Sequence, residues 1–131
     1  MSPQPEAWEV FARQEAAIPI RHIGRVDATT RDDAVVFVAE SNGRIVGAAS
    51  FWVRPRLNWT NPEAWIPDLI VSSPHRQRGT ARRLLDACAA EARARGCHVL
   101  RLESGPERAA AHWLYEAYGF RHFARAYELR L

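Results

Sequence analysis

Between Val71 and Arg83 the sequence reads Val-Ser-Ser-Pro-His-Arg-Gln-Arg-Gly-Thr-Ala-Arg-Arg. An apolar stretch precedes it and a helix-forming stretch follows. A strand that turns into a helix leaves the first backbone N–H groups of the helix without partners, and these groups and the helix dipole favour an anion, above all a phosphate. Gly79 lets the backbone approach such a ligand with no Cβ between them, and Ala81 is small. Arg76, Arg78 and Arg82 add positive charge at the same mouth. The segment lacks the Gly-Lys-Ser/Thr run of a nucleotide-triphosphate loop and the three glycines of a dinucleotide loop. Read alone, it also suits an ordinary connection with a solvated arginine face.

Groups able to move a proton lie on both sides of it: the carboxylates of Asp68 and Glu103, the imidazole of His112 and the phenol of Tyr115. Arg108, Ala111, His112 and Tyr115 are spaced i, i+3, i+4, i+7 and share one side of a helix, whereas Ala110, Trp113, Leu114 and Ala117 form an adjoining apolar side expected in the core. Each also has a plain structural reading, as a hydrogen-bonded, packed or solvated side chain. Trp52, Trp59, Trp65 and Tyr127 are aromatic residues that could form a wall for an amine; core packing is the alternative for each.

The elements that must position these groups follow from pattern. Glu6–Ala17 reads as a short helix after a proline-rich start at residues 1–5, and residues 20–33 read as mostly loop. Ala34–Glu40 is β-branched and apolar, Asn42-Gly43 is a hairpin signal, and Arg44–Val53 is the partner strand. A polar loop leads to a third strand, Ala64–Ser72, in which Pro67 predicts an irregularity and alternation sets Asp68 with Ile66 and Ile70. Thr80–Arg95 carries one apolar stripe (Ala81, Leu84, Leu85, Cys88, Ala89, Ala92) and ends at Gly96. Cys97–Glu103 reads as a strand, a capped helix runs to Tyr118, and Phe120–Leu131 closes the chain as one or two strands. A strand–helix–strand unit implies a right-handed crossover. The expected class is α/β (α+β), with a mixed central sheet in one domain spanning residues 1–131.

Two segments carry a family resemblance. Arg76-x-x-Gly79-x-Ala81 resembles the pyrophosphate loop of the GNAT acetyltransferases, and Asp68-Leu69-Ile70-Val71 resembles the splayed strand that leads into it. Ala111-His-Trp-Leu-Tyr115-Glu-Ala-Tyr-Gly119-Phe120 is similar to the second signature of that family. They occur in the family's order, and the likeness spans roughly Ala34–Phe120. The resemblance implies the acyl-CoA N-acyltransferase fold, here with a short N-terminal part, and transfer of an acetyl group from acetyl-CoA to an amine. It assigns Leu69, Ile70 and Val71 to the pantetheine arm and Arg76, Gln77, Arg78, Gly79, Thr80, Ala81 and Arg82 to the pyrophosphate. Arg108 stands where many members carry asparagine, and with His112 it is placed on the cofactor side. Tyr115 becomes the general acid, Asp68 the first candidate base, Glu103 the second and His112 the third. A weaker likeness points to the aminoalkylphosphonate branch.

Composition narrows the remaining classes. The 131 residues suit one domain, and no stretch approaches the roughly 20 apolar residues of a membrane span. The start Met1-Ser-Pro-Gln-Pro-Glu6 lacks the pattern of a secretion signal, so a cytoplasmic protein is expected. Cys88 and Cys97 do not match a zinc spacing, and no metal is expected. All 18 basic residues other than histidine are arginine, but they form no nucleic-acid recognition motif. The reading is acetylation of a small primary amine. A peptide or protein amine, or an acyl-CoA-binding module without catalysis, are the alternatives, and a homodimer is plausible.

Overall fold

A computed structural model of the chain describes residues 23–26, 32–41, 43–72, 79–104 and 109–131. The expected helix at Glu6–Ala17 lies outside them. The chain divides into two compact units, Met1–Arg101 and Leu102–Leu131. In chain order the elements are β1 (Ile23–Val26), β2 (Ala34–Ser41), β3 (Arg44–Arg54), β4 (Glu63–Ile66), β5 (Leu69–Val71), α1 (Thr80–Ala94), β6 (Leu100–Leu102) and α2 (Ala109–Tyr118).

One six-stranded sheet runs β1-β2-β3-β4-β6, with β5 also paired to β3. β1 to β5 pair antiparallel with their neighbours. The hairpin predicted at Asn42-Gly43 is present: Ser41 pairs with Arg44, and Gly43 has φ +79°, a conformation that costs other L-residues energy. Residues 20–33, expected to be mostly loop, contain β1. Its four residues, Ile-Gly-Arg-Val, are too few for periodicity to declare them, and pairing with the apolar β2 supplies what the local sequence does not.

α1 forms as the stripe predicts, with Leu84, Leu85, Cys88, Ala89 and Ala92 buried. Leu84 and Leu85 are fully covered, and each such burial stabilises by about 1.5–3 kcal/mol. The helix lies on the sheet face that carries Gly47, Ala49 and Phe51, since a Cβ on Gly47 would meet Leu84 and Thr80, and the Arg95 guanidinium sits 5.9 Å from the Phe51 ring centre. Gly96 (φ +71°) ends the helix region, and Cys97 N–H donates to the Ala92 carbonyl.

The predicted third strand is broken at Pro67. Trp52 opposes Trp65, while Ala49 opposes Leu69. Between those pairs β3 has two residues, Ser50 and Phe51, and its partner has three, Ile66, Pro67 and Asp68. This is a bulge, and it reverses which side alternate residues face. Before it, Glu63 and Trp65 share a face with Trp52 and Arg54. After it, Asp68 and Ile70 take that face, while Ile66 is buried on the α1 side. Simple alternation set Asp68 with Ile66; the bulge separates them.

Residues 97–103 form a shorter strand than expected, Leu100–Leu102, entered by hydrogen bonds from His98 N–H to the Pro62 carbonyl and from Ala64 N–H to the Val99 carbonyl. Both chains advance together, so this edge runs parallel, as the strand–helix–strand reading requires. In the second unit, Phe120–Leu131 contains no strand among the described residues; residues 121–131 are exposed. The alternating apolar residues there suit a strand only when an edge pairs with them.

Candidate active site

The first unit brings three predicted features into sequence along β5 and α1. At the bulge, the Ser50 hydroxyl donates to Asp68 Oδ2 at 2.9 Å and accepts the Asp68 N–H at 3.0 Å; Ser50 N–H in turn donates to the Asp68 carbonyl. Asp68 is exposed and held by both side chain and backbone. A carboxylate so oriented can accept a proton from an approaching amine.

Leu69, Ile70 and Val71 follow as β5, half-buried, paired to β3 from Ala49 to Gly47. Among the described residues, β5 has β3 as its strand partner and β6 has β4. The sheet therefore opens between β5 and β6. Gly47 sets how closely β5 and α1 approach β3: a Cβ there would lie 3.1 Å from the Ile70 carbonyl oxygen, 3.2 Å from Leu84 Cδ1 and 3.3 Å from Thr80 Cγ2. The sequence reading passed over this residue and over Ser50. A glycine within an apolar strand is the signal for the first; a serine among alanines gives none for the second.

α1 begins at Gly79, which has φ +81° and ψ 3°. A Cβ at Gly79 would meet no atom within 4 Å, so the left-handed backbone, more than space, demands glycine. Among the described residues no side chain caps the helix, and its first turn holds no acidic residue. Helix starts usually carry Ser, Thr, Asp or Asn to satisfy the leading N–H groups. Here Thr80, Ala81 and the exposed Arg82 begin the helix in their place, an arrangement suited to an anion such as pyrophosphate. Arg76, Gln77 and Arg78 lie outside the described residues, as does Arg108.

Tyr115 and His112 lie on α2, in the second unit. Tyr115 is the buried residue of that helix, and its ring meets Phe120 edge-on at 6.0 Å. Gly119 (φ +123°) turns the chain so that Phe120 N–H donates to the Tyr115 carbonyl. The expected division of α2 is thereby corrected. Tyr115 is buried and Ala111, His112 and Leu114 are half-buried, whereas of the side assigned to the core Trp113 is 73% exposed and Ala110 and Ala117 are exposed as well; Phe120 returns over the Tyr115 side. Glu103 is exposed beyond β6.

Of the aromatic residues, Trp52 and Trp65 pair directly across β3 and β4 and are half-buried. Trp59 stacks on His98, with ring centres 4.3 Å apart, and Tyr127 is exposed in the second unit. Both cysteines are free, and desolvation, with the Glu91 charge second, pushes the Cys88 thiol up to about 12.

With this geometry in view, the family comparison is decisive: the model of the acetyltransferase (GNAT) family matches residues 3–120. The chain belongs to the GNAT acetyltransferase family. It is an acetyltransferase, and acetyl-CoA is its acetyl donor. A search of curated proteins returned no significant match. Among solved structures, the chain is similar to an aminoglycoside acetyltransferase from an uncultured soil metagenomic sample, with 25% identity, TM-score 0.72, and coverage of 78% of this chain and 68% of that one. It is also similar to the aminoglycoside N-acetyltransferase AAC(6')-Iy in complex with the bisubstrate analogue CoA-S-monomethyl-acetylneamine, with 25% identity, TM-score 0.70 and coverage of 77% and 71%. A third neighbour is an acetyltransferase assigned by inference from Agrobacterium tumefaciens, at 26% identity, TM-score 0.71 and coverage of 77% and 71%. No helix among the described residues is long and apolar enough to cross a membrane.

Proposed function

We propose that this GNAT acetyltransferase acetylates a primary amine of a small molecule. The observation that carries the reading is the α1 start: a left-handed glycine, no capping side chain among the described residues and no acid in the first turn, following a strand that stays paired to β3 beyond a bulge. The backbone N–H groups from Gly79 to Arg82, with Arg76, Gln77 and Arg78, hold the pyrophosphate, and Leu69, Ile70 and Val71 offer β5 backbone to the pantetheine amides. Arg108 and His112 are assigned to the cofactor side by the family resemblance. CoA bound to a structural neighbour supports the same use of this fold.

The amine attacks the thioester carbonyl and forms the C–N bond as the C–S bond breaks. Asp68, oriented by Ser50, accepts the amine proton directly or through water, with Glu103 the second candidate. Tyr115 gives its phenolic proton to the leaving thiolate. A bisubstrate analogue on a neighbour is consistent with direct transfer between two bound substrates.

Calorimetric titration of acetyl-CoA, with desulfo-CoA for comparison, tests the first half; thiol release across an amine panel tests the second. One-to-one binding that weakens in Gly79→Val is expected. Tyr115→Phe should lower kcat by about 10²–10⁴-fold while leaving acetyl-CoA affinity intact, the range for loss of a positioned general acid. It should also lose the fall in rate at alkaline pH that deprotonation of a general acid produces. Absence of acetyl-CoA binding would remove the cofactor site; an unchanged pH–rate profile in Tyr115→Phe would remove the acid role.

A further inference from the structure

The face that carries Asp68 continues along β3 and β4 onto an aromatic pair that the transfer of the acetyl group does not use. Ser50 and Trp52 alternate onto that face; Ser50 holds Asp68, and Trp52 lies opposite Trp65. Both indoles are half-buried, and so is Val36, which pairs with Ser50 from β2 and shares the face. Asp68 is exposed. The strip therefore has one carboxylate at its rim and hydrocarbon beside it. On the opposite face Phe51, Ile66, Leu84 and Leu85 are buried, so the packing under α1 does not draw on the two tryptophans.

The pair is held in place from one end. The Arg54 guanidinium carbon lies 4.3 Å from the centre of the Trp65 ring, and Arg54 Nη2 donates to the buried Glu63 carboxylate at 2.7 Å. Glu63 also accepts from Arg56 Nη1 at 3.1 Å and Arg101 Nη1 at 2.6 Å. Burial alone would raise the Glu63 carboxyl; the hydrogen bond from Arg56 and the charges of Arg54, Arg101 and Arg56 outweigh it and hold the group below the usual carboxylate range. The clamp on Arg54 is thus an ionised one. An indole fixed in this way loses little freedom when a ligand lands on it. Arg54 also fills the position over the Trp65 ring that a second cation would seek. What the pair offers a ligand is hydrocarbon contact.

We propose that Trp52 and Trp65 are specificity-determining residues for the acceptor, and that the acceptor is an apolar monoamine: its nitrogen lies at Asp68 and its alkyl or aryl body lies on the two indoles. The proposal rests on the small-amine reading above and adds the substrate class. Successive residues on one face of a strand are about 7 Å apart, so the apolar body begins about that far from the nitrogen. The charges along the strip choose this occupant. Asp68 suits one ammonium group. The other acid that β3 and β4 place on the face, Glu63, is buried and already takes three arginines. A polyamine or an aminoglycoside would set its further ammonium groups against indole and guanidinium instead of carboxylate. That separates this chain from the aminoglycoside acetyltransferase it resembles in fold.

The test measures binding of straight-chain primary amines, from propylamine to octylamine, to the full chain by calorimetry. The α,ω-diamines and ω-amino alcohols of the same lengths are the controls, and thiol release from acetyl-CoA is measured beside binding. Each added methylene should tighten binding about three- to fourfold until the indoles are covered, as burial of a CH₂ group implies. Diamines and amino alcohols should bind at least about tenfold more weakly than the alkylamine of equal length, because their far polar group loses water on the indoles. Trp52→Ala and Trp65→Ala should flatten the chain-length dependence: KM for octylamine rises, while KM for propylamine and the affinity for acetyl-CoA hold. Trp52→Phe keeps an apolar ring and should keep most of the dependence. Melting curves verify that the variants fold, and the wild-type series decides the proposal where one does not. A flat wild-type series, a preference for diamines, or a slope unchanged in both alanine variants overturns it. Thiol release from diamines and amino alcohols as fast as from alkylamines would leave the small-amine reading standing and remove this one. Chain-length-dependent binding without thiol release would do the reverse.

Discussion

At the start of α1, positive potential comes from backbone: a glycine at φ +81°, N–H groups with no side-chain cap among the described residues, and a helix dipole. At the far end of the same sheet it comes from side chains: Arg54, Arg56 and Arg101 packed round the buried Glu63. The two sites ask different things of the sequence. A backbone site needs only a few residues with the right conformational freedom, so a short local pattern announces it. A side-chain site draws residues from β3, the following loop, β4 and β6, and no local pattern joins them. The backbone site suits the invariant partner, acetyl-CoA.

The sharpest way to break this comparison is to remove the carboxylate at the centre of the side-chain site. Glu63→Gln should cost about 2–3 kcal/mol of stability at neutral pH, less than a fully buried pair because the arginines retain some exposure and can rehydrate. The pH dependence has a definite sign. The folded pKa of Glu63 lies below its unfolded value, so its contribution is fully present above about pH 4.3, the ordinary glutamate value, and is lost as pH falls through the folded pKa. Melting temperatures of wild type and variant should therefore converge in acid. A constant gap from neutral pH to pH 3 would show that Glu63 acts by packing alone. Acetyl-CoA affinity should stay unchanged throughout.

Gly47 offers the converse experiment on the backbone site. Gly47→Ala forces the Ile70 carbonyl, Leu84 and Thr80 apart, and should cost about 1–3 kcal/mol, the range for overpacking. Because β5 and the α1 start move together, acetyl-CoA binding should weaken several-fold in the same variant. Gly43→Ala is the control: its penalty comes from a positive φ in the hairpin, about 1–2 kcal/mol, with nothing within 4 Å of the new Cβ. It should lose stability and keep acetyl-CoA affinity. Equal binding losses in the two variants would mean that the close approach at Gly47 does not set the cofactor site.

What the sequence disclosed follows the same division. The β2–β3 hairpin, α1 and its stripe, and the Gly79 loop were legible because each is specified by neighbours in the chain. Pro67 marked the break in the third strand, but the one-residue bulge, and with it the face of Asp68, depends on register against β3. β1 was missed because four residues carry too little periodicity. Residues 120–131 have strand-like alternation without a strand among the described residues. On α2 the apolar Trp113 drew the core assignment, yet the Gly119 turn brings Phe120 over Tyr115 and leaves Trp113 outside. Glu63 gave no sign at all: one glutamate between Pro62 and Ala64 looks like a loop end until three distant arginines are folded onto it.

The smallest effect should come from the seam between the two regions. Ser50 joins them, because its hydroxyl both donates to the Asp68 carboxylate and accepts the Asp68 N–H, tying a side chain to the bulge that aims β5. Ser50→Ala removes both bonds at a half-buried position beside the exposed Asp68, where water can replace them, so the stability cost should be about 0.5–1.5 kcal/mol. Catalysis should report more than stability does. If Asp68 takes the amine proton, loss of its orientation lowers kcat with little change in acetyl-CoA affinity, and Asp68→Asn shows the same pattern more strongly. If instead the pair serves only to hold the bulge, Ser50→Ala and Asp68→Asn should weaken acetyl-CoA binding and leave the pH–rate profile unmoved. The comparison of those two profiles separates a carboxylate that moves a proton from one that fixes a strand.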